Sequence, residues 1–211
     1  MPALFSCAYA GSVAYYAALL RCDQAVIAAD EPVVPHSSWI HSHCRILGPG
    51  GVQTLAIPIV NSHPATVGQM QMATLPRWRR IHWGALYSAY GRSPFFDYFA
   101  PELEKLYTPG GPDSLYHFNT QMHSLIVDFL DLPITALTSS PSLDTPDDRR
   151  HAVGERQPAC AEAQACLAAP YYQVWAGRNG FTPCLSILDL LFNTGREAIF
   201  TLQAVAETLG L

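Results

Sequence analysis

Residues 3–29 read ALFSCAYAGSVAYYAALLRCDQAVIAA. Ala3–Ala8 is a short apolar run of strand length, and Gly11-Ser12 supplies a turn. Val13–Arg21 is long enough for a short helix and apolar all round, the pattern of a helix buried on every side. Gln24–Ala29 is a second apolar run, ending at Asp30-Glu31. Strand, helix and strand within about thirty residues make a βαβ unit, which favours parallel pairing. Ligands of such sheets collect at the carboxyl ends of the strands. Tyr9, Gly11, Ser12, Asp30 and Glu31 are expected at that edge.

Downstream, PVVPHSSWIHSHC has no clean period and reads as a loop. His43–Leu47 and Val52–Val60 flank Gly48-Pro49-Gly50-Gly51, the turn chemistry of a hairpin. Arg77–Tyr90 follows as a helix whose stripe is Ile81, Ala85, Leu86 and Ala89, with Pro94 stopping it. Trp78, His82 and Arg92 fall off that stripe, and a dense mixture of Trp, His, Arg and Tyr suits a polar pocket. Pro101–Tyr107 and Ser114–Leu130 read as further helices. Ser139–Ala168 is polar, proline-bearing and aperiodic, so a mobile loop is expected over 140–168. Leu185–Phe192 (LSILDLLF) is a buried helix carrying one acid, Asp189, and a last short helix closes the chain. The expectation is one α/β domain over residues 1–211. It has a small mixed sheet begun by the βαβ unit, a β-hairpin, and several packed helices.

Composition narrows the function. Of 211 residues 49% are apolar and 14% charged, the balance of a globular chain. A net charge of −5 argues against nonspecific nucleic-acid binding, which feeds on positive charge. Lys105 is the one lysine, so the positive charge is almost wholly arginine, suited to carboxylate or phosphate. No apolar stretch is long enough to span a membrane. The six cysteines form no CxxC pair and no charged leader is visible, which reads as free thiols in a soluble cytoplasmic protein.

His36, His41 and His43 lie within eight residues, and His41 and His43 share a face if that segment is extended. No HExxH or Cys-rich pattern accompanies them, so ordinary loop histidines are preferred over a metal site, and the cofactor is unknown. Asp189 among leucines must find a partner or shift its pKa. Ser186, three residues earlier, is a candidate hydroxyl donor to it, and lacks the GxSxG context of a nucleophile.

Two longer stretches carry a family resemblance. YYQVWAGRNGFTPCLSILDLLFNTG, Tyr171–Gly195, and WRRIHWGALYSAYGRSPFFDYF, Trp78–Phe99, resemble the signature segments of the WbqC-like family of bacterial proteins. Phe118-Asn119 and YAGSVAYYAALL near the start are similar to two more. Two departures stand out. His41 and His43 occupy positions where the family carries arginines, and Gly11-Ser12 replaces its Pro-Pro.

The resemblance implies a role in bacterial surface-polysaccharide (O-antigen) biosynthesis, with aminoacyl (glycine) or acyl transfer to a nucleotide-linked amino sugar as the reaction. Arginines and histidines would hold the nucleotide-sugar diphosphate, and His82 or Asp189 would take the proton from the sugar amine. Tyr9, Asp30, His41, His43, Arg80, Trp83, Tyr90 and Asn193 complete the expected binding set. His82, Trp83 and Tyr90 are expected near Asp189 and Asn193, with Asp30 and His41 or His43 closing the pocket. The alternative is a non-catalytic member that binds a sugar nucleotide or a protein partner.

Overall fold

The computed structural model describes residues 2–22, 24–33, 39–60, 64–74, 77–108, 110–132, 135–138, 147–149 and 160–210. The βαβ unit is present. Strand β1 (Pro2–Ser6) pairs in parallel with β2 (Gln24–Ala28), from Pro2 opposite Gln24 to Ser6 opposite Ala28. Helix α1 (Val13–Leu20) makes the crossover. Strand β5 (Thr135–Thr138) adds to the free edge of β2 and β6 (Asp147–Asp148) to that of β1, both parallel, giving the order β5-β2-β1-β6. The hairpin stands apart as its own two-stranded sheet: β3 (His43–Gly48) antiparallel to β4 (Gly51–Ala56).

Every residue of α1 from Val13 to Leu19 is buried. The helix packs against α6 (Cys160–Ala168), against α8 (Ile187–Thr194), which follows the short α7 (Ala176–Asn179), and against α9 (Ala198–Thr208), which explains a sequence with no polar face. Helices α3 (Arg77–Tyr90), α4 (Phe96–Tyr107) and α5 (Leu115–Leu130) cover the hairpin side, and one continuous cluster of buried side chains joins all of these elements.

Four sequence expectations change. First, Trp39–Ser42 forms a helical turn, α2, where a loop was read. This turns His41 and His43 to different neighbours: His41 Nδ1 lies 2.8 Å from the Cys7 carbonyl, and His43 Nδ1 lies 3.2 Å from that of Trp39.

Second, the buried face of α3 is Trp78, Arg79, His82, Leu86, Ala89 and Tyr90, whereas Ile81 is 53% exposed. The i, i+4, i+8 series Trp78, His82 and Leu86 faces inward because each polar member finds a partner there. Trp78 Nε1 donates to the Ala73 carbonyl at 3.0 Å, and Arg79 donates to the carbonyls of Leu106 (2.6 Å) and Pro112.

Third, α3 spans Arg77–Tyr90 as expected, but the next helix begins five residues earlier than the expected Pro101. Helix α4 starts at Phe96 and carries Pro101 inside it. Fourth, Cys160–Ala168, read as part of a loop, is helix α6, and Asp147–Asp148 is a strand; 139–146 and 150–159 lie outside the described residues. Short apolar positions spaced by polar ones (Ala161, Ala163, Ala165, Cys166) gave that helix little periodic signal.

Leu86→Ala is expected to lower unfolding stability by about 2–5 kcal/mol, since it empties a fully buried position. Ile81→Ala should change it by less than about 0.5 kcal/mol. Denaturant titration of both variants checks the orientation of α3, and equal losses would contradict it.

Candidate functional site

At the carboxyl end of β1 the chain turns through Cys7–Ser12. Ala10 adopts a left-handed backbone (φ 43°), a conformation unfavourable for a residue with a side chain. Gly11 follows where a Cβ would lie 2.8 Å from Cδ1 of the buried Tyr15, so no larger residue fits without movement. Ser12 caps α1, its hydroxyl accepting from Tyr15 N at 3.1 Å.

A second turn meets the first. Cys184 is also left-handed (φ 53°), and Ser186 caps α8 by accepting from Leu188 N. The two turns are stitched together. Ser186 Oγ donates to the Ala10 carbonyl (2.7 Å), Ile187 N to that of Gly11 (2.8 Å), and Val13 N to that of Leu185 (3.0 Å). Strand β3 completes the joint. The Arg45 carbonyl accepts from Ser186 N (2.8 Å), and Arg45 Nη2 donates to the Cys184 carbonyl (2.7 Å). Ser186 is thus fully used by these bonds rather than donating to Asp189.

Between these turns, α2, β3 and α6 lies a small cleft, partly open to solvent, with about 30 Å3 of space for solvent. Its wall includes Tyr9, Ser12, Trp39, His43, Arg45, Glu162 and Cys184. The Trp39 indole stacks on His43 with centroids 5.4 Å apart, so one flat wall is aromatic. Two left-handed non-glycine residues on one cleft is the kind of stored strain found at functional sites.

Of the residues expected in the site, Tyr9 and His43 line this cleft. His82 lies behind it: its Nδ1 is 2.9 Å from Tyr9 Oη, and Tyr9 Oη is 2.9 Å from Tyr107 Oη. His82 also bonds the Ala56 carbonyl, which requires an N–H. The Tyr9 hydroxyl therefore donates to Nδ1 and accepts from Tyr107, a tautomer assigned from the network. Burial lowers the His82 pKa from 6.5 to about 4, so the ring is neutral, and burial raises that of Tyr9, so it stays a phenol. His41 sits deeper, its Nε2 3.8 Å from Glu31 Oε1, which in turn accepts from Ser6 Oγ at 2.9 Å.

Asp189, Tyr90 and Asn193 form a second, separate group. Asp189 Oδ2 accepts from Tyr171 Oη (2.7 Å) and Gln173 Nε2 (2.9 Å), and Tyr90 bonds the same carboxylate. Burial still raises its pKa from 3.8 to about 6, against the pull of those donors. Asn193 ties the neighbourhood together: Oδ1 accepts from Ser93 Oγ and Val174 N, and Nδ2 donates to the Asp189 carbonyl. Tyr90 follows His82 by eight residues on α3, an axial separation of about 12 Å. The two groups therefore mark two stations along one helix rather than one shared pocket. Trp83 is half-buried and stacks on Phe96 and Tyr107, while Arg80 and Asp30 are exposed and line no wall of the cleft. His36 lies outside the described residues. Among the described residues no group of three or more His, Cys, Asp or Glu could hold a metal ion, and no helix is long and apolar enough to cross a membrane.

A family model described as the WbqC-like protein family matches residues 8–164. The chain belongs to the WbqC-like protein family. The match takes in β2, the hairpin, α3 to α5 and the residues lining the cleft up to Glu162, and it stops short of the Tyr171–Gly195 stretch. Searches of curated proteins and of solved structures return no match.

The reading from sequence missed Trp39, Arg45, Glu162 and Cys184. Arg45 was within reach. Residues two apart on a strand share a face, so His43 implies Arg45. Glu162 was hidden by the loop reading, and no sequence signal announces a left-handed cysteine.

The buried ionisable groups set a pH dependence with two signs. His82 and His123 are both held near 4 by burial, so the unfolded chain binds protons that the native one does not, and stability rises with pH between about 4 and 6.5. Asp189 acts oppositely: its raised value favours the fold below 3.8, and that contribution is lost as pH rises through 6. Asp189→Asn removes the opposing slope. Chemical denaturation from pH 4 to 6.5 should show a steeper gain for Asp189→Asn than for wild type, approaching about 1.4 kcal/mol per pH unit per histidine. An unchanged slope would contradict the raised Asp189 value.

Proposed function

We propose that this WbqC-like protein transfers an aminoacyl (glycine) or other acyl group to a nucleotide-linked amino sugar in bacterial surface-polysaccharide (O-antigen) synthesis. The observation that supports this reading best is the cleft at the carboxyl edge of the parallel sheet, where a cation, an acid and an aromatic face converge. Arg45 keeps N–H donors beyond the one bound to the Cys184 carbonyl and is the group to hold a diphosphate. Trp39, stacked on His43, offers a face to a base or sugar ring. Glu162, a buried residue of the same cleft, would take the proton as the amine nitrogen attacks the acyl carbonyl and the donor's leaving group departs.

In this reading His82 and Asp189 are positioning residues. His82 fixes the Tyr9 wall through its hydroxyl, and Asp189 fixes the segment leading to Cys184 through Gln173, whose side chain also bonds Thr182 N and O. That same placement favours a second reading, a non-catalytic sugar-nucleotide binder, because both expected acid/base groups are bonded to other side chains and neither lines the cleft.

Thermal melting with UDP and with nucleoside-diphosphate amino sugars tests binding. Wild type should gain about 2.7 kcal/mol at a ligand concentration about a hundred times Kd. Arg45→Ala should lose that gain and Arg45→Lys keep part of it. Mass spectrometry of the sugar after incubation with glycyl donors then separates the readings. Turnover by wild type that Glu162→Gln abolishes, with ligand stabilisation retained, supports the transferase. Stabilisation without turnover supports the binder, and no stabilisation by any of these compounds removes both.

A further inference from the structure

The wall of the cleft holds a pair of thiols that the transfer reaction does not use. Cys184 Sγ lies 3.0 Å from Cys166 Sγ, and both residues are buried. The Cys184 Sγ is also 3.1 Å from the Glu162 carbonyl. Cys166 follows Glu162 by four residues on α6, so both point from one helical face toward the turn at Cys184. Three other cysteines are different. Cys22 donates to the Ala18 carbonyl at 3.5 Å, Cys7 accepts from Asn119 Nδ2 at 3.5 Å, and Cys44 bonds Tyr9; none of these contacts is to another sulfur.

We propose that Cys166 and Cys184 are an oxidation site, closed to a disulfide by a small peroxide that enters through the cleft. A disulfide bond is about 2.05 Å long, so the sulfurs need to approach by only about 1 Å. Cys184 lines the cleft, which gives a small oxidant a path to a pair otherwise sealed in the core. The environments of the two sulfurs are unequal. The contact with the Cys184 thiol, helped by the Arg45 charge, lowers the pKa of Cys166, whereas the same contact and burial raise that of Cys184, so Cys166 is the one primed as a thiolate. No group of three metal ligands exists among the described residues, so paired sulfurs here are better matched to thiol chemistry than to a metal.

The chemistry balances with hydrogen peroxide as oxidant. The Cys166 thiolate attacks one peroxide oxygen, the O–O bond breaks, and the departing hydroxide takes a proton to become water. Cys166 is then a sulfenic acid. Cys184 Sγ attacks Cys166 Sγ, the S–O bond breaks, and the Cys184 proton leaves with the oxygen as a second water. Two thiols and one peroxide give one disulfide and two waters. The bond would fasten α6, with Glu162, to the left-handed turn that Arg45 holds. It would fix the width of the cleft and turn a reversible contact between two walls into a covalent one.

The test uses the full chain, reduced, desalted and exposed to hydrogen peroxide, then alkylated and digested without reductant. The expected product is a peptide pair joining Cys166 to Cys184 that has lost two hydrogens, forms ahead of any other cysteine pair, and is reversed by dithiothreitol. In Cys184→Ser, Cys166 should stop at the sulfenic acid and be captured by dimedone. Cys166→Ser, which should prevent the cross-link without disturbing the strained turn, serves if Cys184→Ser does not fold. Cys166 and Cys184 both alkylated as free thiols after peroxide, or Cys160 replacing either in the cross-link, overturns the proposal.

Discussion

The structure depends on the joint between the turn after β1 and the turn before α8. Three hydrogen bonds cross it directly, from Ser186 Oγ to Ala10, Ile187 N to Gly11, and Val13 N to Leu185. Each satisfies a carbonyl or amide that would otherwise be buried without a partner, which costs about 1–3 kcal/mol per group. The joint also explains the two left-handed residues. Ala10 and Cys184 are bent so that both helix caps, Ser12 and Ser186, face each other across the contact, where they form an antiparallel bridge. Arg45 holds one of these bent residues through its carbonyl, and that makes an arginine of the hairpin part of the sheet's ligand edge.

Around the joint, buried polar side chains are linked into networks. Tyr9, His82 and Tyr107 form one, and Asp189 with Tyr90, Tyr171 and Gln173 forms another. Networks of this kind hold a unique geometry because each member loses heavily if its partner moves. They make the walls of the cleft rigid and leave its lining, rather than its backing, to recognise a ligand.

Much of the fold was legible because it is written in period and length. The all-apolar α1 flanked by two apolar runs specified parallel pairing, and Gly48–Gly51 specified the hairpin. The buried stripe of α3 was misread because a stripe drawn from apolar residues alone leaves out Trp78, His82 and Arg79. Those three face inward because Ala73, Tyr9, Leu106 and Pro112 receive them, and all but Ala73 are distant in sequence. The expected site residues were polar groups in unexpected surroundings, and most were indeed buried. What sequence could not convey is which of them face an opening. Tyr9 and His43 do, whereas His82 and Asp189 face other side chains.

The joint has a consequence for how the molecule comes into being during translation. The βαβ unit leaves the ribosome well before the groups that cap its turn, Leu185, Ser186 and Ile187. Until they emerge, the Ala10 and Gly11 carbonyls can bond only water, and nothing stitches the turn at Ala10 into its bent form. The cleft therefore assembles later than the sheet, and a nascent chain halted before Ile187 carries a sheet but no site.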